Sequence, residues 1–136
     1  MTFALKAGID DPAAGVFAFD SVKTMYGGKE IAVGNTVFLF ASENEGGRGL
    51  VARGVVTAAT ALPRSPGLSR QTPRVRLALE RTALATRLLG RRDLKPFADW
   101  DDGRPETEIN FKFYRQATDK LAGISDEAAA FLDTFF

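Results

Sequence analysis

The sequence predicts an α+β fold in which strands dominate the middle and short helices lie toward both ends. Three observations carry this. Val37–Ala41 is a nearly continuous β-prone run, and LVARGVVTAATAL follows it after a glycine-rich turn. Arg74–Arg81 alternates cleanly, with Val75, Leu77 and Leu79 on one side and Arg74, Arg76 and Glu80 on the other. The C-terminal segment, about 110–136, changes to helical spacing and ends in a serine-capped helix signal. With 136 residues, the chain is read as one domain, large enough to bury a core without staples.

The elements follow in order. Thr2–Ala7 alternates, Phe3 and Leu5 against Ala4 and Lys6, and reads as a first strand. GIDDPAAG is a loop punctuated by Pro12 and Gly15. Asp20 then has the character of an N-cap, with Val22, Met25 and Tyr26 on one face and Gly27-Gly28 as a stop, which predicts a short helix. Gly34-Asn35 marks a turn into the buried strand Val37–Ala41.

ENEGGRG poses a choice between a phosphate-cradling loop and a hairpin turn. A phosphate loop needs Lys-Ser/Thr after its last glycine and a helix behind it. Gly49 is instead followed by Leu50, Val51 and a strand, so a hairpin is favoured and Gly54 reads as a bulge. PRSPGLSRQTP is a surface loop. Within ALATRLLGRRDLKPF, Leu84, Leu88 and Leu89 suit either a helical stripe ended by Gly90 or the start of another edge strand, and DWDDGRPE is a loop. Phe111, Tyr114, Ala117, Thr118 and Leu121 recur at helical spacing with Gly123 as a stop. Ser125 caps a last helix carrying Asp126 and Glu127 at its positive end.

Neither cysteine nor histidine occurs. Disulfides, thiolate nucleophiles, histidine-based triads and the usual zinc ligand sets are thereby excluded. No apolar run approaches the roughly 18 residues that span a bilayer, and MTFALKAGIDD lacks the apolar core of a signal peptide. A cytoplasmic protein without membrane association is the expectation. The net charge of +1 hides an uneven distribution: −3 over residues 1–47, +9 over 48–95 and −5 over 96–136. A basic middle suits an anionic partner, although such a run also serves as a solvated face.

The opening strand FALK, the VGNTVFLFAS stretch and the glycine-rich GRGLVARGVV together resemble the PUA-like superfamily of small barrels, particularly its EVE and YTH-like branches. The likeness covers roughly the first 60–80 residues, with VRLAL as a continuation; Asn35 stands where that family usually has aspartate. It implies a pseudo-barrel with a pocket or groove that binds RNA, or reads a modified base in DNA or RNA. The expectation is a nucleic-acid-binding module without catalysis and without a cofactor.

Candidate side chains divide accordingly. Arg48, Arg53, Arg64, Arg70, Arg74, Arg76, Arg87, Arg91, Arg92 and Lys95 form the basic set, and guanidinium forks suit phosphate oxygens. Arg74 and Arg76 project from one strand face about 7 Å apart, near the spacing of successive phosphates. Lys112 and Arg115, with Asn110, fall where they line a groove if that helix face is open. Ser42, Glu43 and Asn44 leave the end of the buried strand and suit the edge of a splayed base, as does Lys6 at the end of the first strand. Trp100 either stacks on a base or anchors its loop.

Two rival functions remain. Phe131, Leu132, Phe135 and Phe136 would, if exposed, favour a protein partner or a homodimer. Asp99, Asp101, Asp102, Glu106 and Glu108 would, if clustered, suit a Mg²⁺-dependent nuclease.

Overall fold

In a computed structural model, which describes residues 1–69, 71–115 and 119–136, six strands close into a barrel. They are β1 (Thr2–Ala7), β2 (Val16–Met25), β3 (Thr36–Ala41), β4 (Gly49–Ala61), β5 (Arg74–Leu84) and β6 (Lys120–Ile124), in the order β1-β3-β4-β5-β2-β6. β1 runs parallel to β3 and β2 parallel to β6; the other neighbours are antiparallel. Three short helices, α1 (Arg91–Leu94), α2 (Pro105–Phe113) and α3 (Asp126–Asp133), complete an α+β fold.

The strand sequences differ because their surroundings differ. Phe3, Leu5, Val37, Leu39, Leu77, Leu79 and Leu121 fill the barrel interior. A second core lies outside it, where Ala4, Phe38, Phe40, Ala122 and Ile124 pack under Ile109 and Phe113 of α2 and Ala128 and Leu132 of α3. β1, β3 and β6 are therefore covered on both faces and buried almost throughout, and β3 reads as a nearly unbroken apolar run. β5 has solvent on its outer face and alternates.

The glycine-rich stretch is the turn of the β3–β4 hairpin, built on a 3₁₀ turn at Glu43–Glu45. Gly49 enters β4 at φ 87°, where a Cβ would lie 2.1 Å from the Leu89 carbonyl oxygen. The glycine serves backbone packing there, not an anion. Gly54 sits at a register shift between β4 and β5. The 84–97 segment resolves into the end of β5, an irregular stretch and the single turn α1.

Two helical expectations are corrected. Residues 20–26 are not a helix: Val16–Met25 is one strand held between β5 and β6. Its inward residues switch from Phe17 and Phe19 to Val22, with a bulge between, and that switch imitates a helical face. Nor is the C-terminal segment continuous helix. α2 stops at Phe113, whose carbonyl accepts a hydrogen bond from Lys6 Nζ at 2.9 Å, and Lys120–Ile124 is a buried strand. Gly123, expected to end a helix, lies mid-strand, where a Cβ would be 2.5 Å from the Tyr26 carbonyl oxygen. Ala117 and Thr118 of the expected stripe, and Arg70 of the basic set, lie outside the described residues.

Ser125 does cap α3, its Oγ accepting from Ala128 N at 3.1 Å. The terminal aromatics turn inward: Leu132 and Phe135 are buried, and Phe136 packs against Phe38 at 5.8 Å. The exposed patch required by the protein-interaction reading does not form from them. No helix among the described residues is long and apolar enough to cross a membrane.

Candidate nucleic-acid interface

The parallel pairing of β1 and β3 brings their C-terminal ends together at one end of the barrel. Ser42 is fixed there by its backbone, donating to the Ala7 carbonyl at 2.9 Å and accepting from Gly47 N at 2.8 Å. Beside them opens a cleft of about 710 Å³. Ala7, Ser42, Asn44 and Glu45 form one wall; residues 18–23 of the β2 bulge and Arg74 of β5 form another. Asp119 closes a third side. Hydroxyl, amide and carboxylate groups thus face a space of nucleotide size, with Lys23 and Arg74 as its cationic members.

Several residues expected in the pocket stand elsewhere. Lys6 is fully buried, but it points out of the barrel beneath α2, because side chains alternate along β1 and its neighbour Ala7 takes the cleft side. Its ammonium caps the C-terminus of α2 and lies 4.7 Å from the Tyr114 ring centre. Burial, then the Arg91 charge, lowers the Lys6 pKa. Lys120, opposite Lys6 on β6, is equally buried and finds no hydrogen-bond partner among the described residues. Burial lowers its pKa too, with Lys6 and Lys112 adding to the effect.

Glu43 turns toward α1, accepting from Arg91 N at 2.8 Å, and Asn44 Oδ1 is 3.4 Å from the Arg91 guanidinium. Burial, then the Glu43 carboxylate, pushes the Tyr114 phenol far above its ordinary pKa. Trp100 is not near Ser42: it packs on Phe111 with ring centres 5.3 Å apart, over a small cavity of about 240 Å³ with Arg104 and Thr107. Asn110 is buried and donates to the Phe97 carbonyl at 3.0 Å, so it anchors a loop and lines no groove.

The basic residues do not converge on one face. Arg74 lies at the cleft, and Arg76 projects from the same outer face of β5. Arg53 stands opposite Ala83, near the far end of β5 and about 30 Å from Arg74 at strand rise. It is paired with Asp133 and packed near the Phe136 ring. Arg48 and Arg87 line a separate cavity of about 660 Å³ between residues 9–13 and 84–88. Arg92 and Lys95 are exposed on and just beyond α1. Lys112 is half-buried and committed, bonded to Glu108 at 3.0 Å and to the Gly123 carbonyl at 2.8 Å. Arg115 covers Phe111 and Trp100.

The acidic residues are likewise committed. Asp102 accepts from Arg104 N and Thr107, and Glu108 from Ser125 and Lys112. Among the described residues no group of three or more carboxylates is placed to hold a metal ion.

Asp20, Ser21, Lys23, Glu45 and Asp119 are cleft residues that sequence reasoning passed over. The parity switch from Phe17 and Phe19 to Val22 and Thr24 was the available signal, since it marks a bulged strand and places Asp20-Ser21 on its bend.

No family model matches the sequence, and no curated protein matches it significantly. Solved structures do match the fold. The DUF55 domain of human thymocyte nuclear protein 1 superposes with a TM-score of 0.66 at 12% identity, over 98% of this chain and 97% of that one. Human THYN1 protein in complex with 5-methylcytosine containing DNA gives 0.67 at 15% identity, over 98% and 96%. A protein from Pseudomonas putida gives 0.64 at 16% identity, over 99% of both chains. The chain therefore has the PUA-like fold of the DUF55 domain, at full length.

Proposed function

We propose that this chain is a cytoplasmic, single-domain, non-catalytic nucleic-acid-binding module of the EVE/YTH-like branch, which takes one splayed base into the barrel-end cleft. The observation that carries the reading is the cleft itself: a space of about 710 Å³ lined by Ser42, Asn44 and Glu45, with Lys23 and Arg74 beside it. Groups of this kind read the polar edge of an unstacked base, while cations hold its phosphates. The likeness in fold to a protein solved with 5-methylcytosine containing DNA supports a modified base as ligand. RNA and DNA are both suitable substrates for such a cleft.

The test is a titration against plain and base-modified oligonucleotides at two salt concentrations. Tighter binding of one modified base than of its plain counterpart supports a reading pocket; equal, weak binding to all of them removes it. Charge reversal at Arg74 and Arg76 should weaken binding to every sequence and reduce the slope of log K against log salt by about 0.7 per lost phosphate contact for a single strand. Unchanged affinity and slope in that double variant would take β5 out of the interface.

A further inference from the structure

The barrel-end cleft does not end at Arg74. A second groove, of about 530 Å³, is lined by residues of 62–68 and 71–73 and shares Ser21, Lys23 and Arg74 with the cleft. Its other walls include Leu62, Leu68, Arg64 and Pro73. The two spaces are therefore neighbours across a single cationic partition.

That partition carries an unbalanced charge. Lys23 and Arg74 are register partners across β2 and β5, so two like charges stand side by side. Like charges directly opposite one another destabilise a sheet unless an anion lies between them. Neither is in an ion pair among the described residues, and neither are Arg64 and Arg76. Asp20 and Asp119, which line the cleft, pair with none of them. Arg74 makes one weak contact, 3.3 Å to Ser21 Oγ.

The groove is also built in advance. Residues 62–69 and 71–73 have no regular structure, yet half-buried Gln71 binds the backbone there at three points: Ser65 N at 2.7 Å, the Ser65 carbonyl at 2.8 Å and the Leu68 carbonyl at 3.2 Å. Thr24 fastens the far end through Oγ1 to the Pro73 carbonyl at 2.8 Å. Leu68 is held 59% exposed on the groove wall, an apolar surface open to a ring. A long loop fixed in this way around a cavity is a binding element in form.

We infer that this groove is a second nucleotide subsite: it takes the neighbour of the base in the cleft, and Lys23 and Arg74 hold the phosphodiester between them. The inference rests on the function proposed above, and it adds a direction, because the strand must leave the cleft on the Arg74 side.

The test uses single-stranded DNA carrying one 5-methylcytosine, either as the mononucleotide or with one to three nucleotides added only on the 5′ or only on the 3′ side. One direction of extension should tighten binding about tenfold at the first added nucleotide, the other much less. Arg64→Glu with Leu68→Glu should abolish that gain while leaving mononucleotide affinity within about twofold. Gln71→Ala, which frees the loop, should reduce the same gain. If the gain survives in these variants, the subsite is wrong and the base-reading cleft stands. If the wild-type protein binds neither mononucleotide nor oligonucleotide, the cleft reading falls and this inference with it.

Discussion

Replacing Gly49 with alanine is expected to lower the free energy of unfolding by about 3–4 kcal/mol. Two costs combine. A side chain at φ 87° carries the strain of left-handed backbone, and its Cβ would stand 2.1 Å from the Leu89 carbonyl oxygen and 2.8 Å from Gly90 Cα. The obstacle is main chain, and the Leu50 N–H to Leu89 carbonyl bond at 2.9 Å ties the two segments together, so neither yields easily. Gly67 is the matched control: its φ is 84°, but nothing lies within 4 Å of its Cβ position. Gly67→Ala should cost only about 1–2 kcal/mol of backbone strain. Urea unfolding of the two variants checks this, and equal losses would show that the close approach contributes nothing.

Glu108→Ala should cost about 2–4 kcal/mol, because one carboxylate ties three elements together. It accepts from Ser125 N at 2.8 Å, from Ser125 Oγ, and from Lys112 Nζ at 3.0 Å. Ser125 Oγ in turn caps α3, and Lys112 also holds the Gly123 carbonyl of β6. Burial pushes the Glu108 carboxyl up, but the bonds from Ser125 and Lys112 outweigh it and hold the pKa below the ordinary 4.5. A carboxylate with a depressed folded pKa contributes stability that is complete above its unfolded pKa and lost as pH falls through the folded one. The stability gap between wild type and Glu108→Gln should therefore be constant above about pH 5 and narrow below about pH 4.5. A gap that does not change with pH would mean that the carboxylate's charge plays no part.

How much of this was legible in the sequence follows from where each strand finds its neighbours. β3 and β5 announce themselves locally, one by an unbroken apolar run and the other by strict alternation. β6 does not. Its five residues are strand because β1, at the other end of the chain, and β2 pair with them, and no local pattern encodes those partners. β2 was hidden by its own bulge, which shifts the inward positions by one residue and produces helical spacing.

The same logic divides the site. Ser42 and Asn44 were visible because they leave a strand that local pattern identifies. Asp20, Lys23 and Asp119 were not, because they belong to the two misread segments. The arginines are visible as a group in the sequence, but they do not share a face: β4 and β5 form a long hairpin, and it separates Arg53 from Arg74 by most of its length. Sequence nearness within a basic run does not imply a shared face.

The most direct test of the cleft as the binding site is an amide chemical-shift titration of the ¹⁵N-labelled protein with a single-stranded oligonucleotide carrying one 5-methylcytosine. Saturable shifts should concentrate at Ala7, the 18–23 bulge, Ser42–Glu45, Arg74 and Asp119. Shifts confined to Trp100, Arg104 and Phe111, or no shifts at millimolar oligonucleotide, would contradict the account.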